Sequence, residues 1–252
     1  MTEVAGTEGS WKPRAMPPGL ALTERQKLAC LHRVLAGIGF NENMAGHVTV
    51  AEPDGDLWAS PWGMWWDEVC AADLVRVSAS GEVVEGEWDV SPAIFLHTGI
   101  HRRRPDARVI VHNHPHHATL LATMGRLPEI THQAACMFDG AMALVDEYEG
   151  QVLDEDAGEW LADKVGDADG IVLKSHGVIV IGTSVEEATY RAQTFDRMCR
   201  LTADAIMAGV PTFEIAPEHR GGLKDAFRTH ALDAYWNGAV RMLVRDDPSV
   251  LD

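Results

Sequence analysis

The pattern of apolar and polar positions divides the first half of the chain into amphipathic helices and several short strands. A capping box at 23–26 precedes apolar residues at helical spacing, and Gly39 ends that pattern, which predicts a first helix. Short segments bounded by turn residues follow and predict two hairpins, 47–51 with 57–59 and 74–78 with 82–85. A second helix is predicted from Ser91-Pro92 to the residue before Pro105.

The second half alternates between continuous apolar runs and helical patterns. Strands are predicted over 109–114, 130–137 and 141–145, with two more inside 170–182 on either side of a kink. Helices are predicted over 118–124, over 154–165, from a capping box at 184–187 towards Pro211, and over 223–244. No repeat, low-complexity tract or clear linker interrupts this pattern. We therefore predict a loose N-terminal arm over 1–19 and one α/β domain over 20–252, with a C-terminal helical extension.

The central strand ends in a pair of histidines with the spacing of metal ligands. Side chains two positions apart on a strand point to the same face, so His112 and His114 can aim at one metal ion. A lone histidine on an apolar strand is more often a core residue. Two on one face at a strand end, with His116 and His117 just behind, favour a metal site. Pro115 suits the first position of the helix that follows.

A third ligand is predicted at the kink in the later apolar run. His176 precedes a glycine there, and such a kink can push a side chain out of the ladder towards a cavity. Three neutral imidazoles leave coordination positions open for water or substrate, which is typical of a catalytic rather than a structural site. Zn, Mn and Fe(II) all accept this set, so the ligands leave the metal open.

Two other clusters of rings have alternative interpretations. His97 and His101 share a helix face at i, i+4. A second metal site is conceivable there, but a buried, hydrogen-bonded histidine pair beneath the active site is the favoured interpretation. Trp62, Trp65 and Trp66 lie in one loop, where they either fill the core at a turn or form the wall of a pocket for a flat, apolar ligand.

Composition and charge exclude several classes of function. The formal net charge of −17 over 252 residues argues against binding to nucleic acids or anionic membranes, because phosphate groups demand a positive surface. No apolar run approaches the roughly 18 residues of a membrane span, and 1–19 contain no hydrophobic signal core. The four separated cysteines are typical of a reduced, cytoplasmic protein. The sequence also lacks the GxSxG, GxGxxG and Walker patterns of other enzyme classes.

From about Leu22 to Pro211 the sequence resembles the class II aldolase/adducin-like proteins. Many motifs of that family occur in the same order. They are Ala45-Gly46-His47-Val48-Thr49, Ser60-Pro61-Trp62-Gly63, Asp67-Glu68, Ala72-Asp73-Leu74-Val75, Ser91-Pro92-Ala93, His97, Arg104-Pro105-Asp106, His112 with His114, Ser175-His176-Gly177, and Gly182 with Val185-Glu186-Glu187-Ala188.

This resemblance implies a fold, an assembly and a ligand set. The fold would be a central, mostly antiparallel sheet with helices on both faces. The assembly would be a homotetramer with active sites at subunit interfaces. The family places its metal on the positions of His112, His114 and His176, the same three residues that the spacing selects.

Departures from the family narrow the expected reaction. Sugar-phosphate aldolases of the family carry a glutamate where this chain has Ala93. They bind phosphate with a Gly-Asn-x-Ser loop and a small Ser/Thr-Gly turn, where this chain has Gly46-His47-Val48-Thr49 and Trp62-Gly63. Retro-aldol cleavage of a sugar phosphate is therefore not expected. Non-catalytic adducin-like domains lose the histidines, whereas all three are present here.

The resemblance also includes metal-dependent decarboxylases that lack this glutamate. The expected function is a Zn- or Mn-dependent carbon–carbon lyase, a decarboxylase of a small hydroxylated carboxylate, either aromatic or aliphatic. The alternatives are a non-haem Fe(II) oxygenase on the same scaffold, a non-catalytic adducin-like interaction module, and an aldolase acting on an unphosphorylated substrate. The candidate proton donors are His116, His117, His132 and Tyr148, and the candidate substrate contacts are Asn43, His47, Trp62, Trp65 and Trp66.

Overall fold

The computed structural model describes residues 14–252, and its helices surround one sheet. The first helix begins where Thr23 and Gln26 form the reciprocal bonds of a capping box, as predicted. The α-helices of the described range are α1 Glu24–Gly37, α2 Phe95–Arg103, α3 His116–Met124, α4 Glu155–Val165, α5 Val185–Ala208, α6 Pro217–Ala226 and α7 Leu232–Asp246.

Eight strands form this sheet. They are β1 His47–Ala51, β2 Leu57–Ala59, β3 Val75–Val77, β4 Val83–Glu85, β5 Val109–Asn113, β6 Met142–Val145, β7 Gly170–Leu173 and β8 Gly177–Gly182. The spatial order is β4-β3-β2-β1-β5-β8-β7-β6, and every neighbouring pair is antiparallel except the parallel pair β6 and β7. The expected mostly antiparallel sheet flanked by helices is confirmed.

The central strands are apolar on both faces because helices cover both faces. On β5, Val109 and Val111 belong to the core shared with α1, α3 and α5. Ile110, between them, belongs to the core shared with α2 and α4. This arrangement leaves polar chemistry to the strand ends and to the loops that follow them.

Two predicted elements differ in the structure. The segment predicted as a strand over 130–137 instead contains a 3₁₀ helix, Gln133–Phe138, with four consecutive buried residues at its end. A short apolar run has no periodicity that separates a buried strand from a buried helical turn. The helix predicted over 223–244 is two helices, α6 and α7, joined by a π-helical turn over Phe227–Ala231.

Two details of the helix ends also differ from prediction. Pro115 has an extended ψ of 143° and serves as the N-cap of α3 rather than as its first helical residue. Ser184 caps α5 as predicted, but the carboxylate of Glu187 accepts from the backbone and hydroxyl of Thr183 rather than from Ser184.

The predicted arm over 1–19 lies mainly outside the described residues. Of its described part, the carbonyls of Pro17 and Pro18 accept hydrogen bonds from Arg241 on α7, at 3.3 and 2.9 Å. The division into arm and domain stays a prediction. Among the described residues, no helix is long and apolar enough to cross a membrane.

Candidate metal centre

The end of β5 and the turn between β7 and β8 bring three histidines together. His112 and His114 project from the end of β5, and His176 lies in the turn just before β8. Their ring centroids are 4.8 to 5.0 Å apart, and one ligand nitrogen from each ring lies within 4.8 Å of the others. This triad is the set that the sequence predicted.

Two glycines make the convergence possible. A β-carbon on Gly177 would stand 2.4 Å from the ring of His114 and 2.7 Å from the backbone oxygen of Asn113. A β-carbon on Gly46 would stand 2.4 Å from the side chain of Asn113, and Gly46 also has a φ of +85°. Only a residue without a side chain fits either position, so each glycine lets a loop close onto the end of β5.

Hydrogen bonds fix the proton positions on two of the rings. His112 Nδ1 lies 2.9 Å from the carbonyl oxygen of Val178, and His114 Nδ1 lies 2.9 Å from the carboxylate of Glu42. Both partners are acceptors, so each Nδ1 carries a proton. A ring that carries its one proton there has a bare Nε2, the form in which it can bind a metal.

The two bare nitrogens face each other, with His112 Nε2 and His114 Nε2 only 3.2 Å apart. Two neutral acceptors have no hydrogen to share at that distance, whereas a cation between them would satisfy both lone pairs. The residues present therefore fit a divalent metal ion, and the Glu42 and Val178 contacts are the outer partners that such ligands usually have.

Burial keeps two of these imidazoles, those of His112 and His176, in the neutral form that binds metals. Burial, followed by the neighbouring His47 and His176, holds the pKa of His112 well below its usual value. Burial, followed by His114, lowers the pKa of His176 to about 4. At neutral pH His112 and His176 are therefore neutral rings, each able to offer a nitrogen lone pair to a metal.

A hydrogen-bonded row of side chains runs from the triad towards α2. The ring of His47 lies 4.9 Å from that of His112, and its Nδ1 is 2.6 Å from His97 Nε2. The hydroxyl of Thr49 lies 2.7 Å from His97 Nδ1 and 2.7 Å from His101 Nε2. The predicted buried pair of histidines beneath the site is confirmed, although Thr49 joins them.

The three tryptophans do not form one wall. Trp66 is only 1% exposed, meets His32 edge-on at a centroid distance of 5.1 Å, and donates its indole N–H to the carbonyl of Gly46 at 3.4 Å. The core interpretation therefore holds for Trp66. Trp62 and Trp65 are 44% and 51% exposed and stay candidates for an aromatic surface.

For the four candidate proton donors, the structure shows surroundings other than the three histidines of the triad. His116 is exposed beside the ring of His117, whose Nε2 lies 3.7 Å from Asp204 on α5. His132 lines a cavity of about 850 Å³ beside α6, and Tyr148 is 62% exposed.

The structure also describes two positions that the sequence analysis singled out, Asn43 and Ala93. Asn43 has a φ of +44°, and its side-chain oxygen caps the backbone N–H of Ala45, while Ala93 offers only a methyl group. The sequence reasoning missed Glu42 and Thr49 as partners of the histidines. Glu42 belongs to a turn-rich loop, and only the fold shows that this loop reaches the end of β5.

Comparisons with known proteins show which family this chain resembles over most of its length. Residues 26–203 match the model of the class II aldolase and adducin N-terminal domain. The decarboxylase NovR of Streptomyces niveus is 34% identical over 185 residues, covering 71% of this chain and 68% of its own. The 4-hydroxy-3-prenylphenylpyruvate oxygenase/4-hydroxy-3-prenylbenzoate synthase of Streptomyces roseochromogenus subsp. oscitans is 34% identical over 187 residues, covering 71% and 67%.

A solved structure shows the same fold at lower identity. The L-fuculose 1-phosphate aldolase of Glaciozyma antarctica superposes with a TM-score of 0.79 at 23% identity, over 94% of this chain and 97% of its own. The order of the sheet, the family model and the two relatives lead to one conclusion. This chain belongs to the class II aldolase and adducin family.

Proposed function

We propose that this protein is a divalent-metal-dependent carbon–carbon lyase that decarboxylates a small hydroxylated carboxylate, either aromatic or aliphatic. The observation that carries the proposal is the pair of bare Nε2 atoms of His112 and His114, 3.2 Å apart, with His176 beside them. Zn or Mn is the proposed metal. The methyl group of Ala93 stands where sugar-phosphate aldolases have an acid, which favours a reaction without that acid.

The names of two relatives support this reaction class. A decarboxylase and a prenylbenzoate synthase share 34% of aligned residues with this chain. Membership of the class II aldolase family also leads us to expect that this protein uses a divalent metal and acts on a small-molecule substrate. We propose a homotetramer in the cytoplasm, with active sites at subunit interfaces, as the assembly in which these components meet.

A metal ion held by His112, His114 and His176 would act as a Lewis acid that stabilises negative charge on the substrate. As the bond to the carboxylate breaks, its electron pair stays on the substrate carbon and CO₂ leaves. That carbon then takes a proton from one of His116, His117, His132 or Tyr148.

The proposed substrate contacts combine aromatic rings of the loop 62–66 with polar side chains around the end of β5. Trp62 and Trp65 offer aromatic surface, which stacks well on a flat ring. His47 lies beside the triad, and Asn43 lies in the loop that packs against the end of β5. We propose that His47 and Asn43 supply the polar contacts, with Trp66 supporting the loop from behind.

Metal content tests the proposal first. Mass spectrometry of protein purified anaerobically without chelator should find near-stoichiometric Zn or Mn in the wild type. The variant His112→Ala should bind the metal at least about 100-fold more weakly, because loss of an outer partner alone typically costs 10–100-fold. The matched control is His219→Ala, an exposed histidine on α6 that should leave the metal in place.

Release of CO₂ from hydroxybenzoates and hydroxyphthalates by the metal-loaded protein is the second expected result. Release by wild type and by His219→Ala but not by His112→Ala supports the lyase. A wild type that takes up no metal even after soaking contradicts the proposal, and partner binding that survives in His112→Ala would then favour an adducin-like interaction module.

A non-haem Fe(II) oxygenase is the second candidate. It rests on the printed name of the relative from Streptomyces roseochromogenus subsp. oscitans, which includes an oxygenase activity. A face of three histidines also suits Fe(II) with open positions. Substrate-dependent oxygen uptake that requires Fe(II), without anaerobic CO₂ release, would select this reaction over the lyase.

A further inference from the structure

The row of polar side chains behind the triad has only one consistent set of proton positions. His101 Nδ1 lies 2.7 Å from the carbonyl oxygen of Ala107, which can only accept. The proton of His101 is therefore on Nδ1. Its Nε2 is bare and accepts the hydroxyl proton of Thr49 at 2.7 Å.

Each further contact follows from that starting point. The hydroxyl of Thr49 has one proton, which it uses in the hydrogen bond to His101. Its oxygen therefore accepts a hydrogen bond from His97 Nδ1 at 2.7 Å. His97 Nε2 is then bare and accepts from His47 Nδ1 at 2.6 Å. The row thus places the proton of His47 on Nδ1, on the side away from its Nε2.

Burial keeps the members of the row neutral. His47 is 7% exposed, His97 and Thr49 are fully buried, and a charged imidazole is costly in such surroundings. With one proton on Nδ1, the neutral ring of His47 has a bare Nε2. That ring lies 4.9 Å from His112, the same spacing as within the triad.

We propose that Thr49, His97 and His101 are positioning residues that make His47 an obligate hydrogen-bond acceptor, so that the site selects a substrate hydroxyl and rejects a phosphoryl group. A hydroxyl next to the carboxylate donates its proton to His47 Nε2. A phosphoryl oxygen has no proton to give at neutral pH and meets another acceptor there. This inference rests on the proposed function for the carboxylate and extends it to the substituent beside it.

The selection follows from the asymmetry of hydrogen bonding in buried sites. A site built to receive a donor leaves its own acceptor unsatisfied when the ligand lacks that donor, and this loss is larger than the gain from the bond itself. His47, the first residue of β1, therefore makes the site recognise a hydroxyl donor rather than an anion.

The tautomer of His47 is the first measurement. Nitrogen-15 chemical shifts of labelled protein distinguish a protonated ring nitrogen from a bare one, and they should show His47 protonated at Nδ1 and bare at Nε2. The spectrum is recorded for metal-free and zinc-loaded protein, so the result does not depend on catalysis. A proton on His47 Nε2 of the wild type would overturn the proposal.

Binding to zinc-loaded protein is the second measurement. Calorimetry with glycolate, methoxyacetate and 2-phosphoglycolate should show a preference of about tenfold for glycolate over the other two, the size of one hydrogen bond. Thr49→Val removes the hydroxyl from the row and frees His97 to turn its proton towards His47. The preference for glycolate should then disappear, while the methoxyacetate affinity stays within about twofold.

The matched control is Thr49→Ser, which keeps the hydroxyl and should keep the preference. If Thr49→Val bound all three ligands equally more weakly, the role of Thr49 would be merely structural, and this result would overturn the proposal. Should Thr49→Val fail to fold, the tautomer of the wild type and the ligand preference of Thr49→Ser still decide. A glycolate preference without any CO₂ release would leave this inference standing and remove the lyase.

Discussion

The same two central strands, β5 and β8, carry a polar cluster at each end, and the two clusters are built in opposite ways. At one end, three imidazoles converge, with Nε2 of His112 and Nε2 of His114 only 3.2 Å apart. Around the other end, Arg191 lies 3.1 Å from Asp169 and 3.2 Å from Glu187.

The two clusters differ in whether their polar groups already have partners of opposite charge or hydrogen-bonding role. In the ionic cluster each charge has an opposite charge beside it, and Glu187 also accepts from Thr183 at 2.9 and 2.6 Å. Burial opposes the ionisation of Glu187, but Arg191 and Thr183 hold its pKa below the usual value. The histidine cluster has acceptors without donors. A buried polar group that is satisfied supports the fold, whereas convergent unsatisfied ones indicate a ligand.

The largest expected effect is that the two ends contribute differently to the pH dependence of the free energy of unfolding. Burial lowers the pKa of His47 to about 3, that of His101 to about 4, and that of His97 well below the usual 6.5. Below about pH 6.5 these rings therefore bind protons in the unfolded chain but not in the folded chain. Their contribution to the free energy of unfolding is complete above pH 6.5 and falls as the pH drops towards 4. Each ring contributes up to about 1.4 kcal/mol per pH unit.

Urea unfolding of the metal-free protein at pH 7.5, 6.5 and 5 measures this loss, which should reach several kcal/mol, on the order of 4 for three rings. Glu187 at the ionic end contributes little in this window, since its pKa lies below the usual 4.5. Equal stability at pH 6.5 and pH 5 would contradict the neutral, buried state of the histidines.

Arg191→Met should produce the next largest effect and should act on stability alone. Removing Arg191 takes one cationic partner from the buried Glu187 and from the half-buried Asp169, although Arg228 stays beside Glu187 and Arg104 beside Asp169. The loss should therefore lie at or below the lower end of the roughly 3–5 kcal/mol that an uncompensated buried charge costs. Urea unfolding gives the loss, and metal content should stay at the wild-type level. Arg126→Met, which breaks an exposed pair with Glu129, is the control and should cost less than about 1 kcal/mol. Loss of metal in Arg191→Met would show that the two ends are coupled.

Gly177→Ala should affect the histidine end through packing. The added β-carbon would stand 2.4 Å from the ring of His114, so the ring must move and stability should fall by about 1–3 kcal/mol. Metal affinity should fall with it, as measured by competition with a chromogenic chelator. At Gly221 on α6 a β-carbon meets open space, and Gly221→Ala should be neutral or stabilising. Unchanged metal affinity in Gly177→Ala would argue against His114 as a ligand.

Glu42→Gln should have the smallest effect. The amide keeps the size of the side chain but lacks the charge that holds Nδ1 of His114, so metal affinity should fall about tenfold, at the lower end for outer partners. Thermal stability should change little because the carboxylate is exposed. The exposed Glu87→Gln is the control for general loss of negative charge. Identical affinities in the two variants would remove Glu42 from the site.

Much of the candidate site was predictable because its core is local. Alternation on a strand places His112 and His114 on one face whatever surrounds the strand. The kink before Gly177 marked His176, and the order of the motifs identified the family. The failures were also local in origin. The apolar run over 130–137 has no period, so a 3₁₀ helix looked like a strand.

What the sequence by itself determined was the identity of most of the elements, the sheet class and the three converging histidines. Only the tertiary structure decided which partners fix their protons. Glu42 reaches His114 across 72 positions, and His47 meets His97 across 50, because β1 lies beside β5 and α2 packs on that face. The burial of Trp66 and the separate surroundings of His132 were settled in the same way. Contacts between residues distant in sequence depend on the order of strands in space, and no local pattern encodes that order.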